Sequence, residues 1–417
     1  MQRSHHTSLH GLPVLLCFAV MLLFSSPLQA KAREKVLYTF TGGTDGASPS
    51  SSLLMDASGH LYGTTSAGGN TNECVGNYSQ GCGVVFELAS SNGKWQENVL
   101  YAFQGGTDGW FPTGNLIFDA VGNIYGTTLY GGTGTNCNSG CGTVFELSPN
   151  GDGTWTKTVI HSLQYGFDGA FPAGLTADAS GNLYGVTTVV TGTAYELSRS
   201  QGGTWTETRL CSIDGANPGL AFGGKNSFYF TEGTYAFGNV SEVKRIGRLW
   251  HETDLYDFRG GGNGGDPKAG VVVDKNGNLY GTAMDGGNDF GIAFELKRSA
   301  GHWKESMLYN FCSRNNCADG ARPQAPMVFD HAGNLYGTTG NGGTGCTFQL
   351  GCGVVFKLAH TRTGWKEAVL YSFKHEPDGA GPTEGLTLDG KGNLYGTTPV
   401  GGTGPYGGYG TVFEVTP

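Results

Sequence analysis

The sequence predicts an all-β fold, a seven-bladed β-propeller of four-stranded antiparallel blades closed by pairing of the N-terminal strand with the C-terminal strand. A short motif, Gly-Asn-Leu-Tyr-Gly-Thr-Thr in its commonest form, recurs along almost the whole chain. Each copy lies within a set of four strand-like segments separated by turn residues. After the predicted signal peptide the chain begins with the fourth segment of such a set, and it ends with the third, so the two ends complete one blade.

The repeat is marked by the central tyrosine of this motif. It occurs as Tyr62, Tyr125, Tyr184, Tyr229, Tyr280, Tyr336 and Tyr395. The spacing runs from 45 residues, between Tyr184 and Tyr229, to 63 residues, between Tyr62 and Tyr125. The fourth copy is degraded, departing from the pattern between Gly223 and Gly233. A unit repeated at this period indicates a propeller, a solenoid or an array.

Four strands are predicted in the repeat from Asp319 to Phe373. The first is the continuous apolar run 326–329, typical of a strand covered on both faces. An Asp-x-x-Gly turn leads to the second strand, 335–339, because Asp accepts bonds from its own turn and Gly supplies a positive φ. A variable loop precedes the third strand, 353–358, and Trp365 opens the fourth. Four antiparallel strands of this length indicate one propeller blade.

The two ends of the chain predict how the ring closes. Residues 35–40 have the pattern of a fourth strand and residues 411–415 that of a third. Pairing them makes the seventh blade and removes two open sheet edges.

Residues 1–30 are predicted to be a secretory signal peptide, and residues 31–417 a single propeller. Arg3 precedes an apolar run from Leu12 to Phe24 that is too short to span a bilayer, and Ala30 or Ala32 offers the cleavage position. An uncleaved anchor is the open alternative. We expect a protein that is secreted or periplasmic, at the cell exterior, with no membrane span after cleavage.

Composition excludes some partners and classes. The formal net charge of −9 argues against nucleic acid as a partner. The 74 glycines and 15 prolines have no three-residue period and accompany 12% aromatic residues, which argues against collagen and against disorder. We expect a monomer.

Eight cysteines fall into four close pairs, which predicts four local disulfides in an exported protein. The pairs are Cys74 with Cys82, Cys137 with Cys141, Cys312 with Cys317, and Cys346 with Cys352. Zinc is the alternative, but the pairs lie in different repeats without nearby histidines, so no metal site is predicted. Cys211 takes a place held by tyrosine in sister repeats, which indicates a core residue.

Four phrases recur in fixed order from residue 34 to 417: VLYxF, DGxxP, D-x-x-GNLYGTT and GTVFEL. In this combination the chain resembles the GloVer (Gloeo/Verruco) tandem-repeat family of exported repeat proteins. The D-x-x-GNLY segment is also similar to NHL and gluconolactonase-like propellers, a family that includes calcium-dependent lactonases. No residue matches their metal ligands, so this second resemblance assigns no catalytic residue.

The variable loops predict the working surface. In a propeller the turns between strands one and two, and three and four, lie on one face, and the remaining connections lie on the other. Here the remaining connections carry the length variation and all four cysteine pairs. Braced variable loops on a rigid scaffold are a usual place for binding.

Two sets of residues are predicted on that surface. One aspartate per blade recurs, at Asp45, Asp108, Asp168, Asp214, Asp266, Asp319 and Asp378, and we interpret this set mainly as turn chemistry, with calcium or sugar contact as the alternative. The unrepeated residues are the candidate ligand contacts: Trp110, Phe111, Tyr130, Phe171, Asp285, Asp289, Arg322 and Tyr406.

Two functions remain open from the sequence. The first is a binding or interaction propeller for an extracellular polysaccharide or a cell-surface protein, since aromatic residues beside carboxylates are common in sugar sites. The alternative is a hydrolase, lyase or lactonase acting in the central funnel, for which no catalytic residue is identified. No cofactor is predicted, and calcium is the one ion considered.

Overall fold

The computed structural model describes residues 1, 32–70, 74, 81–189, 191–224, 226–233, 237–346, 351–404 and 407–417. These residues form seven antiparallel sheets and three short 3₁₀ helices. The sheets contain all the strands described below, and the helices lie in loops between blades. The predicted signal peptide lies outside the described residues and stays a prediction. No helix among the described residues is long and apolar enough to cross a membrane.

The strands follow the chain blade by blade. Blade 1 has β2 (Ala47–Pro49), β3 (Leu54–Met55), β4 (Leu61–Ala67), β5 (Val84–Ser91) and β6 (Lys94–Ala102). Blade 2 has β7 (Trp110–Phe118), β8 (Ile124–Tyr130), β9 (Thr143–Pro149) and β10 (Trp155–Ser162). Blade 3 has β11 (Pro172–Ala177), β12 (Leu183–Thr187), β13 (Gly192–Arg199) and β14 (Trp205–Ile213). Blade 4 has β15 (Ala221–Gly224), β16 (Ser227–Glu232), β17 (Asn239–Ile246) and β18 (Leu249–Asp257).

The remaining blades complete the ring. Blade 5 has β19 (Val272–Val273), β20 (Leu279–Ala283), β21 (Ile292–Ser299) and β22 (His302–Asn310). Blade 6 has β23 (Val328–Phe329), β24 (Leu335–Thr339), β25 (Val354–Thr361) and β26 (Gly364–Ser372). Blade 7 has β27 (Thr387–Leu388), β28 (Leu394–Thr398) and β29 (Thr411–Thr416), and its fourth strand is β1 (Arg33–Thr39). In blade 1 the first strand is divided into β2 and β3, which both pair with β4.

The predicted closure is confirmed. β1 pairs antiparallel with β29, with Arg33 opposite Thr416 and Thr39 opposite Thr411. Both ends of the propeller therefore belong to one sheet. The ring has the predicted seven blades, and the degraded fourth repeat still forms a four-stranded sheet.

The first strand of each blade is the innermost, and these strands bond to one another around the axis. Gly385 N donates to Ser52 Oγ at 2.9 Å across the junction of blades 7 and 1. Ser50 Oγ donates to Pro112 O at 2.9 Å between blades 1 and 2. Gly270 N donates to Pro218 O at 2.9 Å between blades 4 and 5. The central channel is therefore lined by first strands.

The core lies between successive blades, and it explains the glycine of the repeated motif. A Cβ at Gly396 would lie 2.6 Å from Phe413 Cζ and 2.9 Å from Leu386 Cδ2. Phe413 in turn packs edge-on against Phe373 of the preceding blade, with ring centroids 5.0 Å apart. Glycine is required here because the phenylalanine fills the space that a side chain would need.

The Asp-x-x-Gly turn has the predicted geometry. Asp389 accepts bonds from the backbone N of Lys391 and of Asn393, each at 2.8 Å, and from Asn393 Nδ2 at 2.9 Å. Tyr395 OH also donates to it, at 3.3 Å. Burial raises the pKa of Asp389, but these hydrogen bonds outweigh that effect and leave it lowered. The motif tyrosine is thus a structural residue, and Trp95 of blade 1 packs on its ring at 6.3 Å.

Candidate functional site

Antiparallel connectivity divides the connections between two faces of the propeller. Turns within strand pairs one–two and three–four lie on one side, here called the turn face. The second-to-third loops and the loops between blades lie on the other, here called the loop face. All four predicted disulfides are formed, and each braces a connection on the loop face.

The recurring aspartates of the loop face are bonded within their own loops. Asp45 accepts from Tyr38 OH at 3.0 Å and from Thr41 N at 2.8 Å. Asp108 and Asp319 are bonded to tyrosine in the same way, at 2.9 and 2.7 Å. Such bonds are what the turn-chemistry interpretation expects.

Asp266 does not belong to this set, contrary to the sequence interpretation. Asn263 takes the aspartate's place in blade 5, because its Nδ2 lies 3.3 Å from Tyr256 OH. Asp266 lies three residues further on, directly before Pro267. The prediction was wrong because Asp266-Pro267 was aligned with the Asp-Gly pairs of the other blades, whereas Asn263-Gly264 is their equivalent.

The residue before the proline of each first strand forms a ring at the channel mouth. These mouth positions are Ser48, Phe111, Phe171, Asn217, Asp266, Arg322 and Gly381. All except Asn217 have a positive φ, between 53° and 63°. The same six donate their backbone N–H to a carbonyl of the preceding blade, as Arg322 does to Phe290 O at 2.7 Å. Non-glycine residues that the surrounding structure keeps at a positive φ occur often at functional sites.

Four of the predicted ligand contacts form one aromatic cluster at blades 2 and 3. Trp110 stacks on Tyr130 with ring centroids 4.6 Å apart and an interplanar angle of 30°. Phe111 and Phe171 meet Tyr130 edge-on at 6.1 and 5.7 Å. All four side chains are half-buried. The cluster therefore joins two blades and keeps part of its ring surface exposed.

Trp110 occupies a place where every other blade has a small residue. The equivalents, one residue before each mouth position, are Ala47, Ala170, Ala216, Gly265, Ala321 and Ala380. The cross-strand partner varies as well, since Tyr130 corresponds to Ala67 in blade 1 and to Asp285 in blade 5. The aromatic pair is therefore a feature of blade 2 and not of the repeat.

A cleft of about 520 Å³ lies beside this tryptophan. Trp110 lines it together with Cys74 from the first disulfide loop and Cys137 from the second. Most of the other lining residues are glycines and small polar residues, including Asn138 and Ser139. The cleft is thus a polar groove with one large aromatic wall.

The other predicted contacts lie elsewhere. Asp285 and Asp289 are exposed on the loop after β20 in blade 5. Arg322 is the mouth residue of blade 6, and its Nε is buried without a hydrogen-bond partner. Tyr406 lies outside the described residues. Since blades follow chain order around the ring, blades 5 and 6 lie across the channel from blades 2 and 3.

Glu384 is a candidate that sequence reasoning missed. It lies on the innermost segment of blade 7, three residues after its mouth position, where sister blades carry Ser51, Gly114, Ala269 and Ala325. Burial raises its pKa to about 7. Aligning the first strands, as well as the better conserved motif, would have revealed this exchange of a small residue for an acid.

One group of acids has the composition of a cation site. Carboxylate oxygens of Glu232, Glu252 and Asp254 in blade 4 lie within 4.8 Å of one another. Burial, followed by repulsion from Glu232, raises the pKa of Glu252 to about 9. No cofactor is predicted from the sequence, and these three acids are the donor set on which the calcium alternative can be tested.

The repeats of this chain match a known family of repeat proteins. The family model described as the Gloeobacter/Verrucomicrobia repeat matches residues 23–244 and 231–417. None of the curated protein sequences matches the chain significantly.

Solved structures share the architecture at low sequence identity. Virginiamycin B lyase from Staphylococcus aureus has a TM-score of 0.56 at 13% identity, covering 93% of this chain and 99% of that chain. Its catalytically inactive variant with quinupristin gives 0.55 at 12% identity, with the same coverage of 93% and 99%. A gluconolactonase from Xanthomonas campestris gives 0.43 at 15% identity, covering 74% and 86%. At 12–13% identity the likeness to the lyase concerns the fold and establishes no activity.

Proposed function

The chain belongs to the Gloeobacter/Verrucomicrobia repeat family, and from that premise we propose that it is a binding propeller whose ligand is an extracellular polysaccharide. The binding surface is the loop face, at the aromatic cluster of blades 2 and 3 and the cleft beside it. The stack of Trp110 on Tyr130 is the observation that carries the proposal.

The chemistry of the cleft suits a sugar. A sugar ring presents C–H groups on its faces and hydroxyls at its edge, so it stacks on an aromatic ring while its edge is hydrogen-bonded. Trp110 supplies the ring, and Asn138 and Ser139 supply polar groups from the adjacent loop. The disulfide Cys137–Cys141 holds that loop. A pre-formed site loses little conformational entropy when it binds a ligand.

Binding of the mature protein to a panel of extracellular polysaccharides tests the proposal. We expect binding that falls about tenfold or more in Trp110→Ala and is partly retained in Trp110→Phe, since truncation of a buried aromatic anchor is costly. Trp303→Phe is the control, because Trp303 packs between blades against Tyr229. Binding by Trp110→Ala equal to that of the unmodified protein would contradict the proposal.

A second function, a hydrolase, lyase or lactonase in the funnel, is favoured by Glu384. A carboxyl with a pKa near 7 is suited to general acid or base catalysis at neutral pH. Turnover of oligosaccharides or lactones that is lost in Glu384→Gln, at unchanged melting temperature, would support this function. Equal turnover by the variant would exclude Glu384 as the catalytic group.

A further inference from the structure

We propose that the bound polysaccharide is acidic and that Arg322 at the channel mouth binds its carboxylate. This inference rests on the proposed function and specifies the class of ligand. It concerns the arc of mouth positions from Arg322 in blade 6, through Gly381 in blade 7 and Ser48 in blade 1, to Phe111 in blade 2, here called the trough.

Among the described residues Arg322 forms no ion pair, which distinguishes it from two other arginines of the propeller. Arg199 and Arg314 form ion pairs with Glu146 and Glu367, at 3.2 and 2.5 Å. Arg322 is half-buried, and its Nε is enclosed without a hydrogen-bond partner. Leaving that donor unpaired is unfavourable. Because the side chain as a whole is only half-buried, the other N–H groups of the guanidinium are the donors offered to an acceptor from solution. The chain contains 34 acidic residues and only 25 lysines and arginines, so carboxylates that could pair with an arginine are plentiful in this protein.

The nearest mouth acid is already paired. Asp266 occupies the mouth position of the adjoining blade 5, and Lys268 Nζ lies 2.7 Å from its Oδ1. That carboxylate is therefore engaged within its own blade. Asp266 forms no ion pair with Arg322.

On the blade 7 side of Arg322 the mouth is open. Gly381 is the smallest residue of the ring, and a Cβ built there would meet only Gly340 O, at 3.8 Å. Ser48 follows in blade 1, and only then does Phe111 begin the aromatic cluster. The two smallest mouth residues thus separate the guanidinium from the aromatic rings.

The next residues inward carry hydrogen-bonding side chains along the same arc. Two residues after the mouth positions lie Gln324, Thr383, Ser50 and Thr113, all half-buried. Across the channel the corresponding places hold Ala173 and Gly219 in blades 3 and 4. Polar side chains therefore accompany the trough. On the opposite arc Ala and Gly replace them in blades 3 and 4, and blade 5 carries Lys268, which is paired with Asp266.

These groups fit a uronic acid polymer. A guanidinium binds a carboxylate through two parallel N–H bonds, hydroxyl and amide groups bind sugar hydroxyls, and an aromatic ring stacks on a sugar face. The net charge of −9 repels a polyanion at long range, so attraction has to come from a local cation. An acidic glycan would therefore bind to this acidic chain mainly through Arg322, whereas on a basic protein many other cations would contribute to binding.

Oligomers of galacturonate, glucuronate and mannuronate, each with its methyl ester, are the probes. The ester keeps the sugar rings and removes the charge. Titration calorimetry on the mature protein should give at least one acid oligomer that binds about tenfold more tightly than its ester. Arg322→Gln should lower the affinity for the acid oligomer to about that for its ester and so remove the preference. Arg362→Gln is the control, since Arg362 is exposed on the turn face of the same blade.

A second variant tests the trough without removing the arginine. Gly381→Asp places a carboxylate at the mouth position next to Arg322. An aspartate can adopt the positive φ required there, because Asp266 does so at the equivalent position of blade 5. This variant should abolish the preference for the acid form at an unchanged melting temperature.

The outcomes separate the two proposals. Binding of neutral and acidic oligomers alike, or a preference that persists in Arg322→Gln, overturns this inference and leaves the binding function standing. Absence of binding to every oligomer and polysaccharide overturns both.

Discussion

The turn face and the loop face are built on the same strands but use the repeat in opposite ways. On the turn face, blade after blade carries the same aspartate turn, tyrosine and tryptophan, and Asp389 shows why, since four bonds converge on its carboxylate. On the loop face the mouth positions hold six different residue types at one place in the fold. Positions that repeat serve the scaffold, and positions that differ are the ones available for recognition.

The largest expected effect is on the pH dependence of stability, and it concerns a buried acid that repeats from blade to blade but is replaced in blade 2. Two residues after the strand-four tryptophan lies a glutamate, at Glu97, Glu207, Glu252, Glu305 and Glu367, with Glu34 equivalent in blade 7. Each has a buried Oε1 without a partner. Blade 2 has Lys157 instead, and its Nζ lies 2.6 Å from Asp108 Oδ1.

Burial, then repulsion from Asp45, raises the pKa of Glu97 to about 7, and burial, then repulsion from Asp378, raises that of Glu34 to about 7. The unfolded pKa is about 4.5, so this stabilisation is complete below pH 4.5 and is lost as pH rises through 7. Each group contributes on the order of 1 kcal/mol. Thermal unfolding should therefore show a lower melting temperature at pH 8 than at pH 5.

Two variants sharpen the test. Glu97→Gln should flatten the pH dependence, and Lys157→Glu should steepen it by placing a carboxyl beside Asp108. A melting temperature that rises from pH 5 to pH 8 would contradict the assignment of protonated glutamates.

The next effect compares two glycines of blade 7. Gly396→Ala should destabilise by about 1–3 kcal/mol, because the new methyl group would overlap Phe413. Gly390→Ala, in the turn, meets nothing within 4 Å and should be neutral or slightly stabilising. Denaturant unfolding measures both, and equal stabilities of the two variants would refute the packing role of the motif glycine.

The smallest effect compares aspartates of the two faces. Asp389→Ala should cost about 1 kcal/mol through its lost turn bonds. Asp285→Ala, at an exposed loop-face position, should change stability by less than about 0.5 kcal/mol. The same unfolding measurement decides, and a larger loss for Asp285→Ala would reverse the roles given to the faces.

The fold could be predicted from the sequence because propeller repeats display their strands, turns and packing residues several times over. Tyr62 and its equivalents fixed the repeat, and the orphan strands at the two ends fixed the number of blades. The candidate site was predicted only in part. Trp110, Phe111, Tyr130 and Phe171 were identifiable as unrepeated aromatics, although their meeting in one cluster depends on cross-strand register.

Asp266 was assigned to the wrong set and Glu384 was overlooked, and both errors have the same physical reason. First strands are short and are held largely by neighbouring blades, so their sequences obey weak local rules and align poorly. The positive φ that unites the mouth positions is a backbone property, and residues as unlike as Phe171 and Asp266 adopt it. The proline of the DGxxP phrase, or its equivalent in blade 5, follows each of them and could have grouped them, whereas their positive φ could be read only from the structure.

The pairing of β1 with β29 also fixes where the chain enters and leaves the propeller. Arg33 and Thr416 lie side by side at the turn-face end of blade 7. A tether, tag or neighbouring module joined at either terminus therefore approaches from the side away from the aromatic cluster. Immobilised through Pro417, the protein should present its channel mouth outward, which makes surface-capture formats suitable for finding its ligand.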